Sequence, residues 1–253
     1  MMQLDAGGFS KGYGPTAQIQ TEYLVRGLLS LGYDALNLSH KEFYKGSALL
    51  KKIEKENKFN FLSSSIYYEN GKAFAQPSMI KTLSAKGIDS PPFKKLKVAL
   101  FGLCDQKDKL LHRSVNESQL KSIDPVLAAA ELFPDLRKKS DIVVLLYHGK
   151  YKRLEAILKS TKWIDVVILG GEYYSARSVV GSDAIIVSTP SLGKHLSSVT
   201  LTIDSQKRIL SHEKRSIALS EDVEEDERFL QFVQDFEKEK KEHAKSRTKT
   251  TSR

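Results

Sequence analysis

Cysteine is nearly absent: Cys104 is the single one in 253 residues. One thiol excludes an internal disulfide and any cysteine-rich zinc module, and it fits a reducing compartment. In "GLCD" it reads as a small buried residue, with no base in sequence to support a redox or nucleophilic role. Long apolar runs are missing too. None approaches the ~20 residues that a membrane-spanning helix needs, so no membrane span is expected. The opening "MMQLDAGGFSKGYG" has neither a basic stretch nor an apolar one, so the chain as it stands shows no export signal and reads as cytoplasmic. The glycines of "GGFSKGYG" follow neither a P-loop nor a dinucleotide spacing. "STPS", Ser188 to Ser191, lacks a nucleophile-elbow pattern.

What is present is a soluble globular composition, 40% hydrophobic and 28% charged, with a formal charge of +9. The length allows a full core in one α/β domain. Part of the positive excess sits in residues 238–253, "KEKKEHAKSRTKTTSR", which is polar and almost without apolar side chains. Such a run reads as a frayed or disordered tail. No aromatic residue interleaves with its basic ones, so stacking on bases is unsupported and nucleic acid is not an expected partner.

Apolar runs with β-branched residues alternate with amphipathic stretches along the chain. "TAQIQTEYLVRGLLSLG" carries Ile19, Tyr23, Leu24, Leu28 and Leu31 at helical spacing, with Gly32 closing it. "GSALLKKIEKEN", "DPVLAAAELFPDLRKK" and "KRLEAILKS" are further helices, the second with Asp124 as N-cap and Pro125 in its first turn. "DALNL", "LKVALFGLCD", "DIVVLLYHG", "WIDVVILGGE" and "DAIIVSTPS" are strands, several of them apolar throughout, as strands covered on both faces are. Asn70-Gly71 marks a tight turn, and "SSVTLTIDSQKRIL" alternates as an exposed edge hairpin does. A last helix starting near Glu221 uses Phe229, Phe232, Val233 and Phe236 as its apolar stripe. The alternation predicts an α/β fold with mixed sheets. The expected division is a main domain over residues 1–215, a C-terminal amphipathic helix packed on it over 216–237, and the basic tail over 238–253.

In open α/β sheets ligands bind beyond the carboxyl ends of the strands. That rule collects Asp5, Gly7 and Gly8 from the first strand, and Ser39, His40, Lys41 and Glu42 from the second. It adds His148, then Glu172, Tyr173 and Tyr174, then Ser188, Thr189 and Ser191. If the strands run in one direction, a single rim gathers two histidines, several carboxylates and several glycines, as a two-metal hydrolase would require.

The ordered segments "LDAGGF", "GYDALNLSHKEF", "KVALFGL", "DIVVLLYHG", "IDVVILGGEYY" and "IIVSTPSLGKHLSSVTLTID" resemble the catalytic domain of 5′-nucleotidases, among the calcineurin-like metallophosphoesterases, over residues 2–204. "LDAGGF" and "LGGEYY" are similar to the group described as UshA-like (seleno)proteins. The resemblance implies an α/β/β/α sandwich, N-terminally truncated. Members carry five ordered motifs, D-x-H, G-D, G-N-H-[ED], a lone H and G-H-x-H, which together ligate two divalent metals. The first has no counterpart, because the chain begins almost at the second. In a selenoprotein of this kind an upstream in-frame selenocysteine codon would read as a stop. Two alternatives follow: either the true start lies upstream of Met1, with a front strand carrying D-x-H or a signal that would make the protein periplasmic, or the chain is itself truncated.

The other motifs match in part. At the bridging aspartate of the second motif stands Gly8, after Gly7. The third reads Ser39-His40-Lys41-Glu42, with lysine where the family has histidine. The fourth is intact as His148, and the fifth reads Gly171-Glu172-Tyr173-Tyr174, with both histidines replaced. Two metals ~3.5–4 Å apart need a bridging anion, which Gly8 does not supply. Lys41 adds a positive charge, and tyrosine is a poor ligand near neutral pH. His148, His40 and Glu172 form at most a single weak site for Mn²⁺, Mg²⁺ or Zn²⁺. Lys41 is instead a candidate to bind an anion in the metal's place, and Gly7, Gly8, Tyr173 and Tyr174 are candidate contacts for a phosphate-bearing small molecule. Two readings stand. One is a degenerate domain retained for binding or interaction without a cofactor. The other is an active metal-dependent phosphoesterase, with His40 and Lys41 as catalytic candidates and unconventional or upstream ligands.

Overall fold

A computed structural model describes residues 1–10, 14, 16–84, 94–105, 120–171, 179, 181–189 and 193–251. Its centre is a five-stranded sheet of β4 (Ser78–Ser84), β5 (Lys95–Cys104), β7 (Ile142–His148), β8 (Val166–Gly170) and β9 (Ile185–Ser188), in that order. The last four are parallel, with Val98 opposite Ile142, Val144 opposite Val166 and Val166 opposite Ile185. β4 pairs antiparallel to β5, so the sheet is mixed.

β7 is buried at every position because both of its faces are covered. Its odd-numbered residues, Val143, Leu145 and Tyr147, join a core with α3 (Pro125–Lys139) and α4 (Tyr151–Ser160). The even-numbered Ile142, Val144 and Leu146 face a second β-layer. That layer holds β1 (Leu4–Asp5) parallel to β2 (Ala35–Leu36), and the antiparallel hairpin of β10 (His195–Ile203) and β11 (Ile209–Ala218). The two residues of β2 make the layering plain. Ala35 packs into the core between the sheets, whereas Leu36 joins the core under α1 (Ala17–Ser30) and α2 (Ser47–Asn57). Helices, sheet, strands and helices therefore stack in the expected α/β/β/α order. No helix among the described residues is long and apolar enough to cross a membrane.

Several expectations meet a different outcome. The Asn70-Gly71 turn forms, with Gly71 N–H donating to Tyr68 O at 2.9 Å, yet β3 (Ile66–Tyr68) finds its longer partner in β6 (Leu120–Ser122). The last helix, α5 (Glu227–Thr251), begins six residues later than its composition suggested and stays helical well past residue 237. Lysine and glutamate are good helix formers, and pairs such as Lys240–Glu237 at 2.9 Å support the continuation that the lack of apolar side chains had argued against. Between β2 and α2 lies a 3₁₀ helix, His40–Lys45.

Candidate functional site

Strand direction puts the carboxyl ends of β1, β2, β7 and β8 at one pole, and there the chain makes two glycine turns. The first follows β1. Asp5 Oδ1 accepts from Gly7 N at 2.7 Å, which bends the chain into Gly7 and Gly8 at φ +94° and +85°. Burial pushes the Asp5 carboxyl above its ordinary range, and this hydrogen bond opposes the shift. The second turn follows β8, with Gly171 at φ +89°.

His148 sits between the two turns, buried at the end of β7. Its even number turns it toward the second β-layer. Nδ1 donates to Gly7 O at 2.7 Å, since a carbonyl only accepts. A Cβ on Gly8 would lie 2.8 Å from Nδ1 and 3.0 Å from Nε2, and closer still to the carbon between them. The ring thus occupies the space through which any side chain at position 8 would leave the backbone. A Cβ on Gly171 would also crowd Nε2, at 3.2 Å.

The β2 loop closes the other side. Ser39 and Glu42 form a capping box on the 3₁₀ helix. Glu42 is buried and its oxygens are heavily used: Oε2 accepts from Ser39 N at 2.8 Å, Ser39 Oγ at 2.7 Å and Gly8 N at 3.2 Å, and Oε1 from Ser10 N at 3.0 Å. Burial raises its carboxyl above the ordinary range against the pull of these bonds. This carboxylate ties the first glycine turn to the second loop. Asn37 does the same from beneath, its Nδ2 donating to Ala6 O at 2.9 Å and Leu103 O at 3.0 Å, in space left by the missing side chain of Gly102.

Of the residues proposed from sequence, Gly7, Gly8, His40 and His148 do converge. The two imidazoles stand edge to face with centroids 6.1 Å apart. Lys41 lies on the same loop; its backbone N–H donates to Ser39 Oγ at 3.2 Å, and its ammonium pairs with no carboxylate among the described residues. Glu172, Tyr173, Tyr174 and Ser191 lie outside the described residues. Glu42, gathered at the rim from the sequence, acts there by positioning the two loops, whereas Asn37 was missed. "SHKE" carried a signal for Glu42, because Ser-x-x-Glu is a capping box. For Asn37 the hint was a lone amide inside an apolar strand. On the opposite face, the buried Tyr147 hydroxyl donates to Asp105, and burial and that carboxylate push its phenol pKa upward. Cys104 is buried, and Ser65 Oγ accepts its backbone N–H at 3.2 Å.

These residues do not fit a two-metal centre. No three His, Cys, Asp or Glu side chains gather at a point among the described residues. Position 8 has no room for a bridging carboxylate, and both oxygens of Glu42 are engaged. Among the described residues only the two imidazoles of His40 and His148 stand together here, fewer than a two-metal centre needs.

No sequence-family profile and no curated protein sequence matches the chain. Solved structures do match in shape. A calcineurin-like phosphoesterase, YfkN from Bacillus subtilis, superposes with a TM-score of 0.77 at 19% identity, over 94% of this chain and 83% of that one. The sulfate thiohydrolase SoxB from Thermus thermophilus gives 0.75 at 18% identity, over 93% of this chain and 42% of that one. A 5′-nucleotidase precursor, also from Thermus thermophilus, gives 0.71 at 17% identity, over 93% of this chain and 48% of that one. Against the last two the chain spans less than half of their length. By layer order, sheet topology and these superpositions, the chain has the fold of the calcineurin-like phosphoesterases and 5′-nucleotidases.

Proposed function

We propose that this domain keeps a phosphoesterase fold without two-metal phosphohydrolase activity and serves as a binding or interaction module. One observation carries the reading: the His148 imidazole fills the space that a side chain at Gly8 would need. A carboxylate bridging two cations at that position is therefore sterically excluded, and without it their mutual repulsion is not offset. The engaged oxygens of Glu42 support the same reading, because recruiting them to a metal would strip hydrogen bonds from three backbone N–H groups. Lys41 supplies the positive charge at this rim, and a phosphate-bearing small molecule is the ligand class it suits.

The test is metal analysis of the purified chain, combined with turnover of p-nitrophenyl phosphate and nucleotides in added Mn²⁺, Mg²⁺ or Zn²⁺. Substoichiometric metal and no turnover are expected. Two bound metals with turnover abolished by His148→Ala would overturn the reading.

A further inference from the structure

The pole opposite to the candidate site carries an unexpected side chain. Trp163 is 73% exposed and sits at φ +86°, in a region that bulky residues seldom enter. It lies in the turn between α4 and β8, at the amino-terminal end of the parallel strands. A glycine would hold this turn with less strain, and burial does not explain the ring, because most of it faces solvent.

The surroundings are basic by construction. Each helix of a parallel β-α-β unit ends beside the start of the next strand, so α3 and α4 deliver Lys138 and Lys159 to this pole. Lys162 precedes Trp163, and β5 contributes Lys97, whose backbone N–H donates to Asp141 at 2.7 Å. Two acids at this end, Asp141 and Asp165, are turned into the fold. Asp141 pairs with Lys207 at 3.0 Å and Asp165 with Arg137 at 2.7 Å. Asp183 stays exposed. Lys97, Lys138, Lys159 and Lys162 have no salt-bridge partner among the described residues. The turn of the β10–β11 hairpin reaches the same pole through the Lys207–Asp141 pair, and just beyond it Leu210 is 64% exposed.

We propose that this pole is a docking surface for an anionic lipid bilayer, with Trp163 and Leu210 entering the headgroup region and the lysines meeting lipid phosphates and carboxylates. Tryptophan favours the membrane–water interface, and basic side chains near an anionic leaflet add attraction that fades within a Debye length. An aliphatic leucine exposed at this end of the molecule suits acyl chains and has no stacking partner on a nucleic acid. Docked this way, the pole that holds His148 would face away from the lipid.

Trp163 is the sole tryptophan of the chain, so its fluorescence reports on this surface alone. The full chain is mixed with vesicles of phosphatidylcholine containing about a third phosphatidylserine, an anionic lipid. The expected result is co-sedimentation with a shift of emission to shorter wavelength, both weakening steeply between about 0.1 M and about 1 M salt. Lys138→Gln with Lys162→Gln should weaken binding by roughly 25-fold, at about fivefold for each positive charge removed. Trp163→Gly should weaken it as well, while thermal stability holds or rises because the strained φ suits glycine.

Four results would each overturn the proposal. The first is no sedimentation. The second is equal binding to phosphatidylcholine alone. The third is binding with unshifted emission that the lysine changes leave intact, which would assign attachment to residues 238–253. The last is displacement of the vesicles by an oligonucleotide that quenches Trp163.

Discussion

Gly8 and His148 define each other. A left-handed φ disfavours any L side chain by ~1–2 kcal/mol, and forcing one against a packed ring adds more. Gly8→Ala is therefore expected to lower unfolding free energy by about 2–4 kcal/mol in a urea titration. If the ring is the obstacle, His148→Gly in the same chain should recover part of that loss, with a coupling of about 1–3 kcal/mol in the double-mutant cycle. Additive effects would mean that the two positions do not compete for space. Glu42 makes a second residue-scale prediction. Glu42→Gln puts an amide NH₂ among four donors and should destabilise the fold by about 1–3 kcal/mol. Its pH dependence has a definite sign. Burial raises the folded carboxyl pKa, so the native state holds its proton to higher pH than the unfolded chain. The stability tied to that protonation is complete below the unfolded value of ~4.3 and is lost as pH rises through the folded one. The stability gap between wild type and Glu42→Gln should therefore narrow as pH rises from about 4 toward neutrality in paired denaturation curves.

Among the elements, those with strong periodicity or continuous apolar runs were legible. β5, β7, β8 and β9 announced themselves because two covered faces make most of their positions apolar. β4 did not, since Ser78–Ser84 is an edge strand and its Lys81 and Thr82 are as common in loops. β6 is only three residues long and is defined by its pairing with β3, a contact that no local pattern encodes. Helix ends held further information. Lys58 closes α2 in the left-handed conformation, at φ 50° and ψ 41°, where glycine is at ease. Lys58→Gly should raise the unfolding free energy by about 0.5–1 kcal/mol, read from thermal unfolding. The docking of α5 is more local. Phe232 and Phe236 meet Tyr23 of α1 at 5.1 and 5.4 Å between ring centroids, and the Arg26 guanidinium lies 4.9 Å from the Tyr23 ring. Phe232→Ala should release this helix without unfolding the sandwich. Amide exchange would then accelerate across α5 and stay unchanged in β5 and β7.

At the scale of the whole molecule, periodicity and apolar runs reached an α/β fold with mixed sheets, whereas the sandwich was anticipated only through the resemblance of the ordered rim segments to a known family. The candidate site was only half legible. The convergence of Gly7, Gly8, His40 and His148 followed from strand order, whereas the filling of position 8 by the His148 ring depends on side-chain direction and on two glycine turns that meet in space. The same globular logic gives the chain two unlike poles, one of closed glycine turns around a histidine and one of exposed lysines around a tryptophan. What we propose for the first pole is that a fold shared with calcineurin-like phosphoesterases here has no room for a carboxylate-bridged metal pair. The most direct measurement of this is the metal content of the chain purified from Mn²⁺-supplemented medium, taken with phosphatase turnover on the same sample. The account predicts less than one ion per chain and no turnover above protein-free buffer. Two ions per chain, with phosphate release that vanishes in His148→Ala, would contradict it.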